Sequence, residues 1–394
     1  MGRVPRQSVL WVLPLIVLAY VVYAGALEDS PSRLIDAQWL YVSGASWLAG
    51  DSPYNLAAFN RHWISLLGTQ ANGPASFTYP PTIAILTIPA GFLSWKLAQM
   101  YFVVVNMIAL GALWWLSVAI LGARGQNKTS NLMLSVAISA SGLISAVPAC
   151  IYIGQTGIIA TLGAFGTLWA AREGRPWAMV IFVLLASIKP QLTGLVCLYA
   201  LVLYGPKQFL PSLAVVVVGA VVFIFSQNSF LSDYQMSIQH HLAMSFNQDA
   251  RYDHLGAAFG HSFFLALALC GAMLVLAIAI ADRSRAMMTA SRQCINTMPS
   301  LMCIVAITLA CMPIHKYDWV FLVPTIIMLA YIRPVMMAIA FAAILAFLMR
   351  IDNWITLAGG YSALQFVAIV IFLFMAIGHW IYRLRAREQL SAFA

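Results

Sequence analysis

Three residues stand out in a chain that carries few charges. Asp36, Lys189 and His315 each fall beside apolar sequence, where an ionisable group needs a structural or chemical reason to be there. Asp36 lies in PSRLIDAQWLYVSGASWLAGDSPYN, near the start of a stretch that reads as a helix. A carboxylate at that place can cap the free N–H groups of the first turn. It can also serve as a general base held at a membrane surface. Asp29, close to the end of the first apolar run, is the rival carboxylate.

Lys189 sits between two apolar half-length segments and is followed by Pro190, which lacks an amide hydrogen and discourages helix at the residue before it. Two readings are open. The lysine either snorkels to the interface, or it is a cation reserved for an anionic ligand, above all a phosphate. CMPIHKYDWV (311–320) packs His315, Lys316, Tyr317 and Asp318 into one short turn. Such a turn can be polar for solvation alone. An imidazole and an ammonium there would also stabilise a phosphate through charge-assisted hydrogen bonds. Gln155, in YIGQTG, adds an amide donor at another turn. Asp233, His240, His241, Asp249, Arg251, Asp253, His254 and His261 share a further polar stretch. Without HExxH or comparable spacing, a loop covering an active site is favoured over a metal site, and no metal is assigned.

The elements that position these residues follow from composition. Hydrophobic residues make up 62% of the 394 and charged residues 8%, against about 25% charged in soluble domains. The chain reads as an all-α polytopic membrane protein. The net charge of +9 does not signal nucleic-acid binding, because the bases form no patch interleaved with aromatics and fall in short loops. The six cysteines show no CxxC spacing and lie mostly in apolar segments, as small buried hydrophobes do. Arg3 and Arg6 precede an apolar run too long for a signal-peptide core, which reads as a retained first helix.

Hydropathy places about 12 spans, at 8–27, 98–121, 131–149, 156–171, 177–188, 190–205, 208–226, 263–281, 298–314, 319–332, 334–350 and 356–381. Segment 79–95 is short, contains Pro81 and Pro89, and reads as re-entrant. With both termini cytoplasmic, fourteen of the 21 bases and three of the 12 acids fall on the inner side. That is the positive-inside pattern, and counting 79–95 as a span would invert it. The whole chain, 1–394, is then one transmembrane domain with two long outer loops, 28–78 and 227–262. In the first, Leu34, Ile35, Trp39, Leu40, Trp47 and Leu48 can share the apolar side of a helix lying along the membrane, its tryptophans at headgroup level. Gly50-Asp51-Ser52-Pro53 then makes a turn.

These pieces in this order resemble glycosyltransferase family 87, polytopic enzymes of the GT-C class. The resemblance rests on Asp36-x4-Tyr41, Ala49-Gly50-Asp51-Ser52-Pro53-Tyr54, Tyr79-Pro80-Pro81, Gly154-Gln155, Lys189-Pro190 and His315-x-Tyr317-Asp318. It implies a hexosyltransferase that inverts the anomeric centre, with a polyprenyl-phosphate sugar as donor and mannose as the favoured sugar. The acceptor would be a glycolipid, a polysaccharide or a hopanoid-like lipid. It further implies Asp36 as base, Lys189, His315, Lys316 and Gln155 around the donor phosphate, and Tyr41, Tyr79, Tyr317 and Asp318 lining the substrates. No cofactor is expected, and no DxD motif for a nucleotide sugar is present. The site would lie on the outer, periplasmic face of the inner membrane. A secondary transporter or lipid flippase is the alternative, since a broken helix and an intramembrane lysine suit it too. The lack of internal repeats and the long first outer loop weigh against it, and a noncatalytic scaffold would leave Lys189 without purpose.

Overall fold

The computed structural model describes residues 12–27, 33–68, 76–121, 128–144, 146–226, 229–243, 261–288, 298–312 and 315–332. All regular structure among them is helical. Two helices are long and apolar enough to cross a membrane, Trp95–Ile120 and Ala266–Ser284, or three if one bent pair counts as a single span. The spans expected at 334–350 and 356–381 lie outside the described residues, as does Asp29.

The centre is helix α8 (Gly157–Arg172), buried from Gly157 to Ala171. A helix apolar on all sides must be surrounded, and α5 (Trp95–Leu121), α9 (Pro176–Ser187) and α10 (Pro190–Tyr204) pack around it. Two glycines set the approach of α9. A Cβ at Gly163 would meet the backbone at Leu185–Ala186, and one at Gly166 would meet the Phe182 ring.

The expected break at Lys189 is present. Helix α9 ends at Ser187, α10 begins at Pro190, and Lys189 leaves the helical conformation with φ −137° and ψ 69°. Pro190 occupies the first helical position, where its missing N–H costs nothing. The Thr193 hydroxyl bridges the break, donating to the carbonyls of Ala186 at 2.7 Å and Lys189 at 3.1 Å.

One expectation is corrected, and two others gain detail. The run 131–149 is not one helix: α6 (Lys128–Gly142) and α7 (Ala146–Ile153) meet at a 46° bend. Helix α2 (Ile35–Leu48), in the expected first outer loop, is packed on more than one side. Leu34, Ala37, Leu40, Tyr41, Val42, Ser43, Gly44 and Ser46 are buried, while Ile35 and Leu48 are exposed. Small residues rather than an apolar stripe determine its packing. A Cβ at Gly44 would fall on the Thr87 carbonyl and one at Gly91 on the Gly44 backbone, so α2 lies directly against α4 (Ala84–Gly91). The loop also holds a second helix, α3 (Leu56–Leu67), capped by the Asn55 side chain on the Ala58 amide. The second outer loop, finally, begins with helix α12 (Phe230–Ala243), which follows α11 (Leu210–Ser226). Helix α1 (Val12–Val22) precedes all of these, and α13 (His261–Met288), α14 (Met298–Cys311) and α15 (Val323–Ile332) follow.

Residues expected on the outer side, at 36, 79, 155, 189 and 315, come together. The ends of α5 and α10 carry contacts of a different kind. Arg172 donates to the carbonyls of Ile120 and Ala119, and Arg283 donates to that of Val202. These guanidinium groups satisfy helix-terminal carbonyls that lack partners within the helix.

Candidate functional site

Asp36 is placed by the unusual start of α2. Leu34 adopts a left-handed conformation, φ 56°, with its side chain fully buried, and its amide donates to the Tyr152 carbonyl at 2.7 Å. Ala37 then packs against Gly154, whose φ of 76° and missing Cβ leave room for it. These contacts bring the first turn of α2 to the end of α7. The Asp36 carboxylate does not cap its helix. It accepts a 2.5 Å hydrogen bond from Gln155 Nε2 across 119 positions of sequence. Gln155 is itself oriented, since its Oε1 accepts from the Tyr79 hydroxyl at 2.8 Å. The Tyr79 carbonyl in turn accepts from the buried Tyr54 hydroxyl.

Lys189 is 4% exposed, which rules out the snorkelling reading. Its ammonium donates to Asp318 Oδ1 at 2.5 Å and stands 4.7 Å from the centre of the Tyr317 ring. The other Asp318 oxygen accepts from the His315 amide at 3.1 Å, and the Asp318 amide donates to the His315 carbonyl at 2.8 Å. Asp318 therefore closes the 315–318 turn and neutralises Lys189 together. The buried cation is compensated because its partner is already in place.

The two clusters open onto one cleft of about 340 Å³. Asp36, Gln155, Lys189, His315, Tyr79 and Tyr317 all line it. Tyr41 is not brought there: its hydroxyl donates to the Leu93 carbonyl at 3.1 Å and its ring leans on Trp95. Asp318 stands behind Lys189 and does not line the cleft. The side chain of Lys316 lies outside the described residues. Trp39, Phe77, Gln191 and His241 join the lining without having been singled out for it. The only sequence signal for Trp39 is its position three residues after Asp36, one helical turn on. His241 reaches the cleft from α12, which is tied down by Ser237 donating to the Phe77 carbonyl at 2.7 Å. No three His, Cys, Asp or Glu side chains come together in metal-binding geometry among the described residues.

Burial sets the charge states here. It raises the Asp36 carboxyl above its ordinary range, against the Gln155 hydrogen bond and the Lys189 charge, which pull it down. Burial likewise lowers His315, more than the nearby Asp318 raises it. It lowers His241 to about 4, with His315 and His240 adding to the effect. At neutral pH both imidazoles are neutral, so His315 offers a hydrogen bond and not the charge expected of it. Burial also raises the Tyr79 hydroxyl, which keeps its proton and donates it to Gln155.

The arrangement thus pairs a carboxylate whose proton affinity is enhanced with a cation whose counter-charge is buried behind it. Such a cleft can take a proton from a bound hydroxyl on one side and stabilise an anion on the other. Among known proteins, the model of glycosyltransferase family 87 matches residues 77–313. No curated protein and no solved structure matches the chain.

Proposed function

The chain belongs to glycosyltransferase family 87, and on that premise we propose that it transfers a hexose, with mannose the favoured sugar, from a polyprenyl-phosphate donor to a glycolipid or glycan acceptor. Asp36 takes the proton of an acceptor hydroxyl. The freed oxygen attacks the anomeric carbon from the face opposite the phosphate, and the new C–O bond inverts that centre. The bond between the anomeric carbon and the phosphate oxygen breaks, and its electron pair leaves with the polyprenyl phosphate. That leaving group is already an anion and needs positive charge and donors more than a general acid. Lys189 supplies charge, while neutral His315 and Gln191 supply polar contacts beside it. Tyr79 and Gln155 hold the base in position.

The observation that carries this reading is that Asp36 and Lys189, far apart in sequence, line one cleft with their supporting partners in place. The architecture we propose is of the GT-C type, one transmembrane domain of about 12 spans with 79–95 re-entrant. Helices Pro81–Gly91 and Pro176–Ser187 are short and apolar. At ~1.5 Å per residue, each is far shorter than the ~30 Å hydrocarbon core. The positive-inside pattern puts the cleft on the outer face of the inner membrane and the termini in the cytoplasm. A donor whose tail never leaves the bilayer then reaches the cleft from the side.

The test is transfer of label from a panel of polyprenyl-phosphate sugars to membrane lipids and glycans by purified protein. Incorporation by wild type that is lost in Asp36→Asn supports the reading and identifies the sugar. Incorporation that survives in Asp36→Asn removes Asp36 as base. A folded wild-type protein that uses no donor returns the transporter alternative, to be followed by flux measurements.

A further inference from the structure

The cleft has two unlike walls. Lys189, His315 and Tyr317 form one, where charge and hydrogen-bond donors gather. The other is aromatic and centres on Trp39, which stands one helical turn after Asp36 on the same side of α2. The Trp39 ring is fixed from behind. Phe59 stacks on it with centroids 5.9 Å apart and planes 23° apart, and Trp63 meets it edge-on at 5.0 Å. Phe59 and Trp63 are two of the three residues that α3 buries, so that helix serves largely to hold this ring. Phe77 and Tyr79 continue the wall, 5.7 Å apart and tilted by 34°.

A rigid indole beside a base, with polar groups at its rim, fits a ligand that has an apolar face and a hydroxylated edge. A pyranose ring has both: its axial C–H bonds lie against the π-face while its hydroxyls reach polar neighbours. The cleft volume of about 340 Å³ is near the lower end of the ~300–1,000 Å³ typical of small-molecule sites. That is room enough for sugar rings. We propose that a pyranose ring of the acceptor stacks on Trp39, which places the acceptor hydroxyl at Asp36 and makes the acceptor a sugar-bearing molecule rather than a simple lipid alcohol. This rests on the transferase reading above, and it adds Trp39 as the residue that selects the acceptor.

Two measurements on full-length protein in nanodiscs test it. The first is independent of turnover: saturation-transfer NMR on methyl α-mannopyranoside and methyl β-glucopyranoside, with excess polyprenyl phosphate present. Ring C–H signals should be strong with wild type and Asp36→Asn, weakened in Trp39→Phe and lost in Trp39→Ala. Equal signals with wild type and Trp39→Ala, or none with wild type, overturn the proposal whatever the enzyme's activity.

The second is kinetic, with methyl and octyl pyranosides and dodecanol as acceptors. Trp39→Ala should raise the KM for pyranosides about tenfold while the donor KM changes less than about twofold, and Trp39→Phe should recover part of the loss. Better use of the octyl than the methyl glycoside assigns a glycolipid acceptor, and equal use assigns a soluble glycan. Dodecanol as the preferred acceptor, unaffected by Trp39→Ala, refutes the proposal and leaves the transferase reading intact. Transfer unaffected by Asp36→Asn removes the proposed base instead.

Discussion

The two ends of the bundle use similar residues in different ways. At one end, Asp282 is 2% exposed and accepts a 2.7 Å hydrogen bond from the buried Tyr199 hydroxyl. The neighbouring Arg283 and Arg172 reach back to the carbonyls of Val202, Ile120 and Ala119. Polar capacity there is directed to joining helices. At the other end an aspartate and a tyrosine also meet, but through Gln155, and Asp36 keeps its open side toward a cleft. A lysine nearby is held by a carboxylate that stands behind it. The difference between a structural and a chemical use of the same residue types is thus in what each group still faces once its partners are counted.

Paired substitutions can break that comparison. Asp36→Asn should lower turnover by roughly 10²–10⁴-fold, the usual contribution of a general base, without lowering thermal stability. Its carboxyl is raised by burial, so ionised Asp36 opposes folding and a neutral isostere does not. Asp282→Asn should do the reverse, lowering the melting temperature while the folded fraction turns over normally. Activity per folded molecule and melting temperature, measured on both variants, decide this. A melting temperature that collapses in Asp36→Asn, or turnover lost in folded Asp282→Asn, would erase the contrast.

The Lys189–Asp318 pair sharpens it further, because this pair has both uses at once. Removing one partner of a buried ion pair strands the other and typically costs about 3–5 kcal/mol. Lys189→Met and Asp318→Asn should each destabilise strongly. The double variant should be more stable than the sum of the two single losses would make it, yet still fail to use the donor. Unfolding of all three beside wild type gives the coupling energy, and an additive cycle would show that the pair is not the unit that the geometry implies.

A smaller effect tests how α2 is held. Gly44→Ala puts a methyl group on the Thr87 carbonyl, and overpacking of this kind costs about 1–3 kcal/mol. Because α2 carries Asp36 and Trp39, turnover should fall along with stability. Gly111→Ala meets nothing within 4 Å and should leave both unchanged. Equal behaviour of the two variants would mean that α2 has room to shift.

Much of this was legible before any coordinates. Pro190 marks the helix break because it lacks an amide, and the positions 36, 155, 189 and 315 follow from polar residues set in apolar sequence. What sequence patterns do not carry is assembly across distance. Nothing near Gln155 announces that its amide reaches Asp36, and nothing near Lys189 announces that Asp318 neutralises it. Helix α2 sends two signals. Its small residues, Ala37, Ser43, Gly44 and Ser46, permit close packing on both sides, whereas its tryptophans suggest an interface. Trp39 consequently reads as a membrane anchor when it faces the cleft. The bend at 142–146 was hidden because the apolar run continues through it.

The finest test concerns proton affinity alone. Burial is the largest influence on Asp36 and raises its pKa above 3.8, and proximity to Asp318 adds to this. The Gln155 hydrogen bond and the Lys189 charge act in the opposite direction. If the ionised carboxyl is the active form, kcat/KM is lost as pH falls through the raised pKa, so the acid limb lies above the ordinary aspartate range. Gln155→Leu removes a group that favours the ionised form, so it moves that limb to higher pH. Tyr79→Phe removes the shorter of two hydrogen bonds to the Gln155 carbonyl oxygen and leaves only the Thr156 amide at 3.4 Å, which loosens the amide and moves the limb the same way by less. Asp282→Asn, at the far end, leaves the limb in place. The pH dependence of kcat/KM for the three variants settles the matter, because helix packing alone would not produce a graded shift at one end and none at the other.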